Sequence, residues 1–470
     1  MSIASIVYRA LLVTGAAGFA VPGAFAQGDG SGTDNLDLLR TGYGSDFCEP
    51  AMLCHTAREG AEGSSVTVQA SGQAPTPQPV QPAPAMPPRP AFAPQPALSD
   101  PAPRFSEPVP LFDTELSVTL RGSYAVEDGD SSYAASVTPG AQFSYARDDL
   151  AADLRLSAGL VYVGDEAVEV EDGVAEFNLT RNFGSTRRLG LQAALAVGQE
   201  DPTGLDADAD VETEPLRVSG NVDATLSQDF ARANVTVSGG VLRETVSPTT
   251  LSDGTIVYND AENLTAISGG VRLGYALTPI VGVFAAADVE REDFDAVSDD
   301  LGASRNGWNY ALRGGFSGNW SDVVTLEASI GAGRRTFDDA ALSTVDTVLY
   351  GAALGFNPDA TTQLRLSFDT RIAPGTDGAS ATVNYALALE GDYTVNSWLG
   401  LRGSASALWQ EAADSDAVIR TYQAGIGADV ALGANTTLAL DYGYGLKEDS
   451  EADPQISDEH RVSAGVTLRY

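Results

Sequence analysis

From residue 113 to the C-terminus, apolar residues fall on every second position in stretch after stretch, roughly eighteen of them, with turn-forming residues between. LSVTLRGSYAV (116–126), LRLSAGLVYV (154–163), LGLQAALAV (189–197), VTLEASIGAG (324–333) and LALDYGYGL (438–446) are clear cases. In 364–372 the apolar set is Leu364, Leu366, Phe368 and Ile372, and the set between them is Arg365, Ser367, Asp369 and Arg371. Period-two patterning puts these sets on opposite faces of a strand. No segment in this region carries a convincing helical period. A two-sheet sandwich also alternates, but it hides its apolar face and rarely runs to so many strands.

The connections narrow the choice. Short ones (ARDD, SQDFA, LTPI, NWSD, LGAN) alternate with long ones (VEDGDSS, GDEAVEVED, QEDPTGLDADADVETE, VSPTTLSDGTIVYNDAEN, EDFDAVSDDLGASRN). Alternating tight turns and long loops are what a transmembrane barrel produces. The sequence therefore predicts an all-β fold over 113–470: an antiparallel up-and-down barrel of about eighteen strands. An even strand count brings both ends of the barrel to one side, expected to be periplasmic. Aromatics agree with a membrane-height wall. Trp308 and Trp320 share a face twelve residues apart. With a tilted strand this separates them by roughly 28 Å along the axis, against an apolar band about 25 Å tall. They and Trp409 are candidates for the aromatic girdles.

The interleaved face is small and polar, with charges of both signs. Arg121, Arg155, Arg217, Asp223, Arg313, Glu327, Arg365, Asp369, Arg371, Glu390, Arg402, Arg420, Asp429 and Asp441 fall on it. An Arg or Lys on the lipid face costs about 2–4 kcal/mol at mid-bilayer, so these residues are expected to line the lumen. A barrel of this size is wide enough for an aqueous path. The alternative is that the charges pair across the lumen and only satisfy one another.

The N-terminal quarter is different. Arg9, the apolar run from Ala10 to Phe25 and the small-x-small site Ala24-Phe25-Ala26 predict a cleaved signal peptide over 1–26. Residues 27–73 form an N-terminal periplasmic segment that holds the two cysteines, Cys48 and Cys54. Export to an oxidising compartment makes a disulfide between them the first reading, with free thiols or a metal or haem site as alternatives. C-x-x-C-H spacing is absent, and the only other histidine besides His55 is His460. Residues 74–112 are a Pro-rich linker that reads as a periplasmic spacer, or else as a site for a partner or the cell wall.

Net charge is −37, with 64 acidic against 27 basic residues, which argues against nucleic acid as a partner. No catalytic constellation stands out, so no enzymatic activity and no cofactor or metal is expected. Asp206, Asp208 and Asp210 suggest calcium, but Val211 and Arg217 stand where an EF-hand loop needs Gly and Glu. A solvated acidic loop is the simpler reading. The acid-rich long loops favour neutral or cationic solutes, and the inner arginines argue the other way, so selectivity stays open.

The phrases YALTPIVGVFAAADVEREDFD, LYGAALGFNPDATTQLRLSFDT, LGANTTLALDYGYGL and HRVSAGVTLRY resemble the beta-barrel porin type 2 family of Gram-negative outer-membrane proteins over 113–470. The resemblance implies an outer-membrane barrel. It implies a passive conduit for small polar solutes, or an export conduit for polysaccharide working with a periplasmic partner. A closed structural or surface barrel is a third option. The terminal strand, with Val466, Leu468 and the final Tyr470, resembles the signal read by the barrel-assembly machinery, in which Phe is the usual last residue. Outer-membrane lipid and lipopolysaccharide are the remaining expected partners.

Overall fold

The computed structural model describes residues 112–127, 129–163, 168–199, 211–213, 215–298, 300–375, 379–450 and 456–470. The signal peptide, Cys48 and Cys54, the Pro-rich linker up to residue 111, and Asp206, Asp208 and Asp210 lie outside the described residues. Among the described residues there is no helix.

The strands, in chain order, are β1 (Phe112–Glu127), β2 (Asp130–Arg147), β3 (Leu150–Val163), β4 (Val168–Asn182), β5 (Arg187–Gln199), the short β6 (Val211–Thr213), β7 (Leu216–Phe230), β8 (Ala233–Val246), the short β9 (Thr249–Leu251) and β10 (Ile256–Val257), and β11 (Leu264–Ala276). There follow β12 (Val281–Phe294), β13 (Gly307–Trp320), β14 (Val324–Phe337), β15 (Val345–Asp359), β16 (Thr362–Pro374), β17 (Ala381–Asn396), β18 (Leu399–Ala412), β19 (Val418–Gly433), β20 (Thr436–Asp449) and β21 (Ile456–Arg469).

Eighteen of these strands form one antiparallel sheet. Each pairs with its neighbour in the chain, and β1 pairs with β21 from Ser117↔Arg469 to Glu127↔Glu459, which closes the barrel. The last residue takes part in the closure. The Tyr470 N–H donates to the Leu116 carbonyl at 2.8 Å, and the Leu116 N–H returns to the Tyr470 carbonyl at 3.2 Å. Closure leaves no sheet edge, which a wall in lipid requires.

Register follows from patterning. Leu116, Leu120, Leu156, Leu195, Val222, Ile267, Leu312, Ile330, Ile426 and Val462 all stand exposed on one face. A slip of one residue would turn each of them inward and expose the polar set instead. A continuous exposed apolar belt is intolerable in water and is what a bilayer core demands. Trp308 and Trp320 lie on this outer face, 40 % and 41 % exposed. Trp409, also outward, is half-buried and its indole N–H donates to the Tyr422 hydroxyl at 3.2 Å.

Both chain ends of the barrel sit at the end that carries the short turns, from the two residues 148–149 to the four of 183–186. The longest connections, 200–215, 247–263 and 295–306, lie at the opposite end. Two expectations change in detail. The VEDGDSS connection is not a long loop: Glu127 pairs directly with Asp130, and Gly129 takes the left-handed φ of 96° that a tight hairpin needs. The barrel begins at Phe112, one residue before the expected start. The long loops also build structure of their own, since β6, β9 and β10 form a separate three-stranded sheet.

Candidate functional site: the inner face of the barrel

The residues opposite the apolar belt point into the barrel. By register, Arg121, Arg155, Arg217, Asp223, Arg313, Glu327, Arg365, Asp369, Arg371, Glu390, Arg402, Asp429 and Asp441 are on that inner face. Arg420 is not. It shares the outward face of β19 with Ile426, lies opposite Trp409 and Glu448, and pairs with Glu448 at 3.3 Å. The reason is its height. It is the third residue from the long-loop end of the strand, where an outward arginine can reach past the apolar band.

The inner charges are knitted along the wall. Arg402 on β18 donates to Asp429 on β19 and to Asp441 on β20, both at 2.5 Å. Arg272 on β11 grips Glu327 on β14 with two bonds, 3.2 and 2.8 Å. Arg313 on β13 reaches Asp369 on β16 at 2.9 Å and the Thr370 carbonyl at 2.8 Å. These last two pairs each skip two strands, an arc of roughly 14 Å at normal strand spacing. Side chains span such an arc only as chords across a curved wall, so the pairs project into the lumen and narrow it. Arg335 on β14, 1 % exposed, meets Glu292 on β12 at 2.6 Å. Arg461 meets Glu459 at 2.7 Å and Arg365 meets Glu390 at 3.7 Å.

A glycine recurs opposite these charges. Arg121 faces Gly465, Asp223 faces Gly240, Arg313 faces Gly331, Arg365 faces Gly355, Asp369 faces Gly351, and both Arg402 and Asp441 face Gly427. The concave inner face is crowded, and a long side chain lies flat only where its neighbour has none. At Gly427 the need is direct: a Cβ there would collide with Asp441 Oδ1 and lie 2.7 Å from Arg402 Nε.

At the long-loop end the inner face turns apolar. Leu264, Ala266 and Phe294 are buried together with Leu242 packed on them. The loop residue Arg305 lies over the Phe294 ring. Asn259 in the β8–β11 loop is 3 % exposed and donates to the Ser247 carbonyl at 2.7 Å and to Thr249 at 3.0 Å. In the same loop, burial pushes the Glu262 carboxyl up, against the pull of Arg217 at 3.3 Å and of Arg305. Asp338 and Asp339 in the β14–β15 loop are held below the ordinary carboxylate range. Arg291 does this for Asp338, and the Ala341 and Ser304 N–H groups do it for Asp339.

Sequence patterning overlooked Arg272, Asp288, Glu290, Glu292 and Arg335, all inward. The signal was clear for Arg272, which alternates with the exposed Val271 and Leu273, but Glu292 and Arg335 have polar neighbours on both sides and so carry no such contrast. Arg305 and Asn259 carry no such signal, because loops have no period.

No curated protein matches the chain. Among solved structures it is similar to OpdK of Pseudomonas aeruginosa with vanillate, at 11 % identity over 76 % of this chain and 99 % of that one, with a TM-score of 0.41. OpdO of the same organism gives 14 %, 76 %, 97 % and 0.40. The FrpB iron transporter from Neisseria meningitidis gives 9 %, 71 %, 63 % and 0.39. The family described as "Putative beta-barrel porin 2" matches residues 118–470, and the chain belongs to it as an outer-membrane β-barrel.

Proposed function

We propose that this barrel is a passive, non-enzymatic conduit for small polar solutes. The observation that carries the reading is the contrast between its faces: a closed eighteen-stranded wall, apolar outside, with a polar and charged interior. A solid barrel core would be filled by large apolar side chains, whereas this inner face, outside the apolar cluster at the long-loop end, is built mainly from Gly, Ala, Ser, Thr, Arg and carboxylates. The chain ends and short turns face the periplasm in this reading, and the long acidic loops face outward, where they raise the local concentration of cations. Lipopolysaccharide surrounds the wall, and the assembly machinery reads the terminal strand through Val466, Leu468 and Tyr470. Deleting Tyr470 removes two closing backbone bonds and lowers the yield of folded barrel in outer membranes; an unchanged yield would remove Tyr470 from the signal.

The test of the conduit is single-channel current from the refolded mature protein in a planar bilayer at two salt concentrations. Steps that scale with salt support a water-filled path. Proven insertion without current turns the reading toward a closed structural barrel. One observation favours that second reading: the inner arginines Arg272, Arg313, Arg335, Arg402 and Arg461 are each tied to a carboxylate.

A further inference from the structure

Arg305 lies in the β12–β13 loop and is 3 % exposed. Its guanidinium rests over the ring of Phe294, 4.4 Å from the centroid. Phe294 points inward, so Arg305 is on the lumen side of the wall. The inward Arg335 donates to the Arg305 carbonyl at 3.4 Å, which places the loop backbone there too. Nη1 of Arg305 donates to the Gly375 carbonyl at 2.8 Å, and Nη2 to the Ala261 carbonyl at 2.6 Å.

Those two carbonyls come from distant parts of the wall. Ala261 precedes β11 and Gly375 follows β16, five strand spacings apart. Along the wall that is an arc of roughly 24 Å. Two nitrogens of one planar group can meet both carbonyls only if the loops leave the wall and converge over the lumen. Further ties hold the same assembly. Glu262, next to Ala261, is paired with the inward Arg217 of β7 at 3.3 Å. The Ser304 N–H donates to Asp339 Oδ2 at 3.2 Å. Ala303 is 1 % exposed within it. Among the described residues Arg305 is bonded to carbonyls and rests on a ring face, with Glu262 close enough to feel its charge, and a charge so buried is an expensive joint. Its geometry suits the joining of two loops, because the arginine fork offers parallel donors that a lysine lacks.

We propose that Arg305 clamps a loop roof over the β11–β16 side of the lumen and so sets the largest solute the barrel admits. The exclusion limit rests on the conduit reading above; the clamp does not. The two are separated by measuring them independently. Arg305→Ala and Arg305→Lys are made in the full chain with Cys48 and Cys54 replaced by Ser and Ala303→Cys added. Arg334→Ala is the control, since Arg334 lies on the outer face of β14 and pairs with Asp346 of β15, away from the roof. Labelling of residue 303 by a polar maleimide reads the roof. Swelling of proteoliposomes in neutral sugars from a pentose to a trisaccharide reads the exclusion limit.

Loss of two charge-assisted bonds is expected to speed labelling by about tenfold or more in Arg305→Ala, less in Arg305→Lys, and not in Arg334→Ala. The trisaccharide-to-pentose rate ratio is expected to rise in the same order. Unchanged labelling in a folded Arg305→Ala barrel overturns the clamp. Faster labelling with an unchanged ratio, where the unsubstituted barrel admits the pentose, overturns its role in exclusion. Faster labelling with no swelling by any variant supports the clamp and refutes the conduit.

Discussion

Gly427 lies in one row with Arg402 and Asp441, and the ion pair between them crosses directly over it. Gly427→Ala puts a methyl group into that crossing. The new carbon would sit 2.7 Å from Arg402 Nε and 3.1 Å from its Cγ, and closer still to Asp441 Oδ1. Ordinary contact needs well over 3 Å, so the pair must lift off the wall. Overpacking of this kind costs about 1–3 kcal/mol. If the pair breaks, the Asp441 carboxylate, whose side chain is 5 % exposed, is left without its arginine. Breaking a buried pair costs about 3–5 kcal/mol, and lumen water reduces that figure. The expected loss is therefore about 1–4 kcal/mol.

Gly400 is the internal control. It is also an inward strand glycine, on β18 two residues before Arg402, and a Cβ there meets nothing within 4 Å. Gly400→Ala should be neutral or stabilise by about 0.4–1 kcal/mol, because it reduces the freedom of the unfolded chain. The assay is reversible denaturant unfolding of the barrel refolded into phospholipid vesicles, followed by tryptophan fluorescence, with the slope checked for constancy. Repeating Gly427→Ala in an Arg402→Ala background closes a double-mutant cycle. The methyl group should then cost little, giving a coupling of about 1–3 kcal/mol. Equal effects at 427 and 400, or a coupling near zero, would refute the idea that these glycines exist to let charges lie flat.

Three further outcomes are expected. Ile426→Arg, on the outward face at the middle of β19 and 67 % exposed, should cost about 2–4 kcal/mol in the same assay, whereas Gln423→Arg on the inner face should cost little; equal costs would overturn the assignment of faces. Glu327→Gln frees Arg272 in the lumen, so the reversal potential in a salt gradient should move toward anions, and no movement would take this pair out of the ion path. Asp339 is held below the ordinary value of 3.8 by the N–H groups of Ala341 and Ser304. A depressed carboxylate gives its full stabilisation above its unfolded value and loses it as pH falls through the folded one. Hydrogen-exchange protection of the Ser304 amide, corrected for intrinsic rates, should hold from neutral pH down past the usual carboxylate range and then fall, and loss already near neutrality would sink this assignment.

How much of this was legible depends on what each feature needs. Strand number and wall type need only local period, and LRLSFDTRI carries that in nine residues. Loop lengths need strand ends, which period blurs; VEDGDSS looks like a loop because its polar residues continue the strand right up to Gly129. Arg420 shows a second limit. In VIRTYQAGIGADV, Ile419 and Ile426 have opposite parity, so the segment offers two faces. Pairing with β18 and β20 chooses the face of Ile426 and carries Arg420 outward with it.

Partnership is harder again. Arg402 and Gly427 are meaningful together only once the β18–β19 turn fixes their register, and Arg272 meets Glu327 only once the wall has curved. Charges that in sequence suggest a lumen studded with ions are, for Arg272, Arg313, Arg335, Arg402 and Arg461, already spoken for by carboxylates on the same strand or up to three strands away. The field a solute meets is then set by whatever remains after pairing, together with the roof held by Arg305. Inward-facing charge by itself therefore predicts little about selectivity. The same inner residues in a different register would leave a different remainder, and with it a different channel.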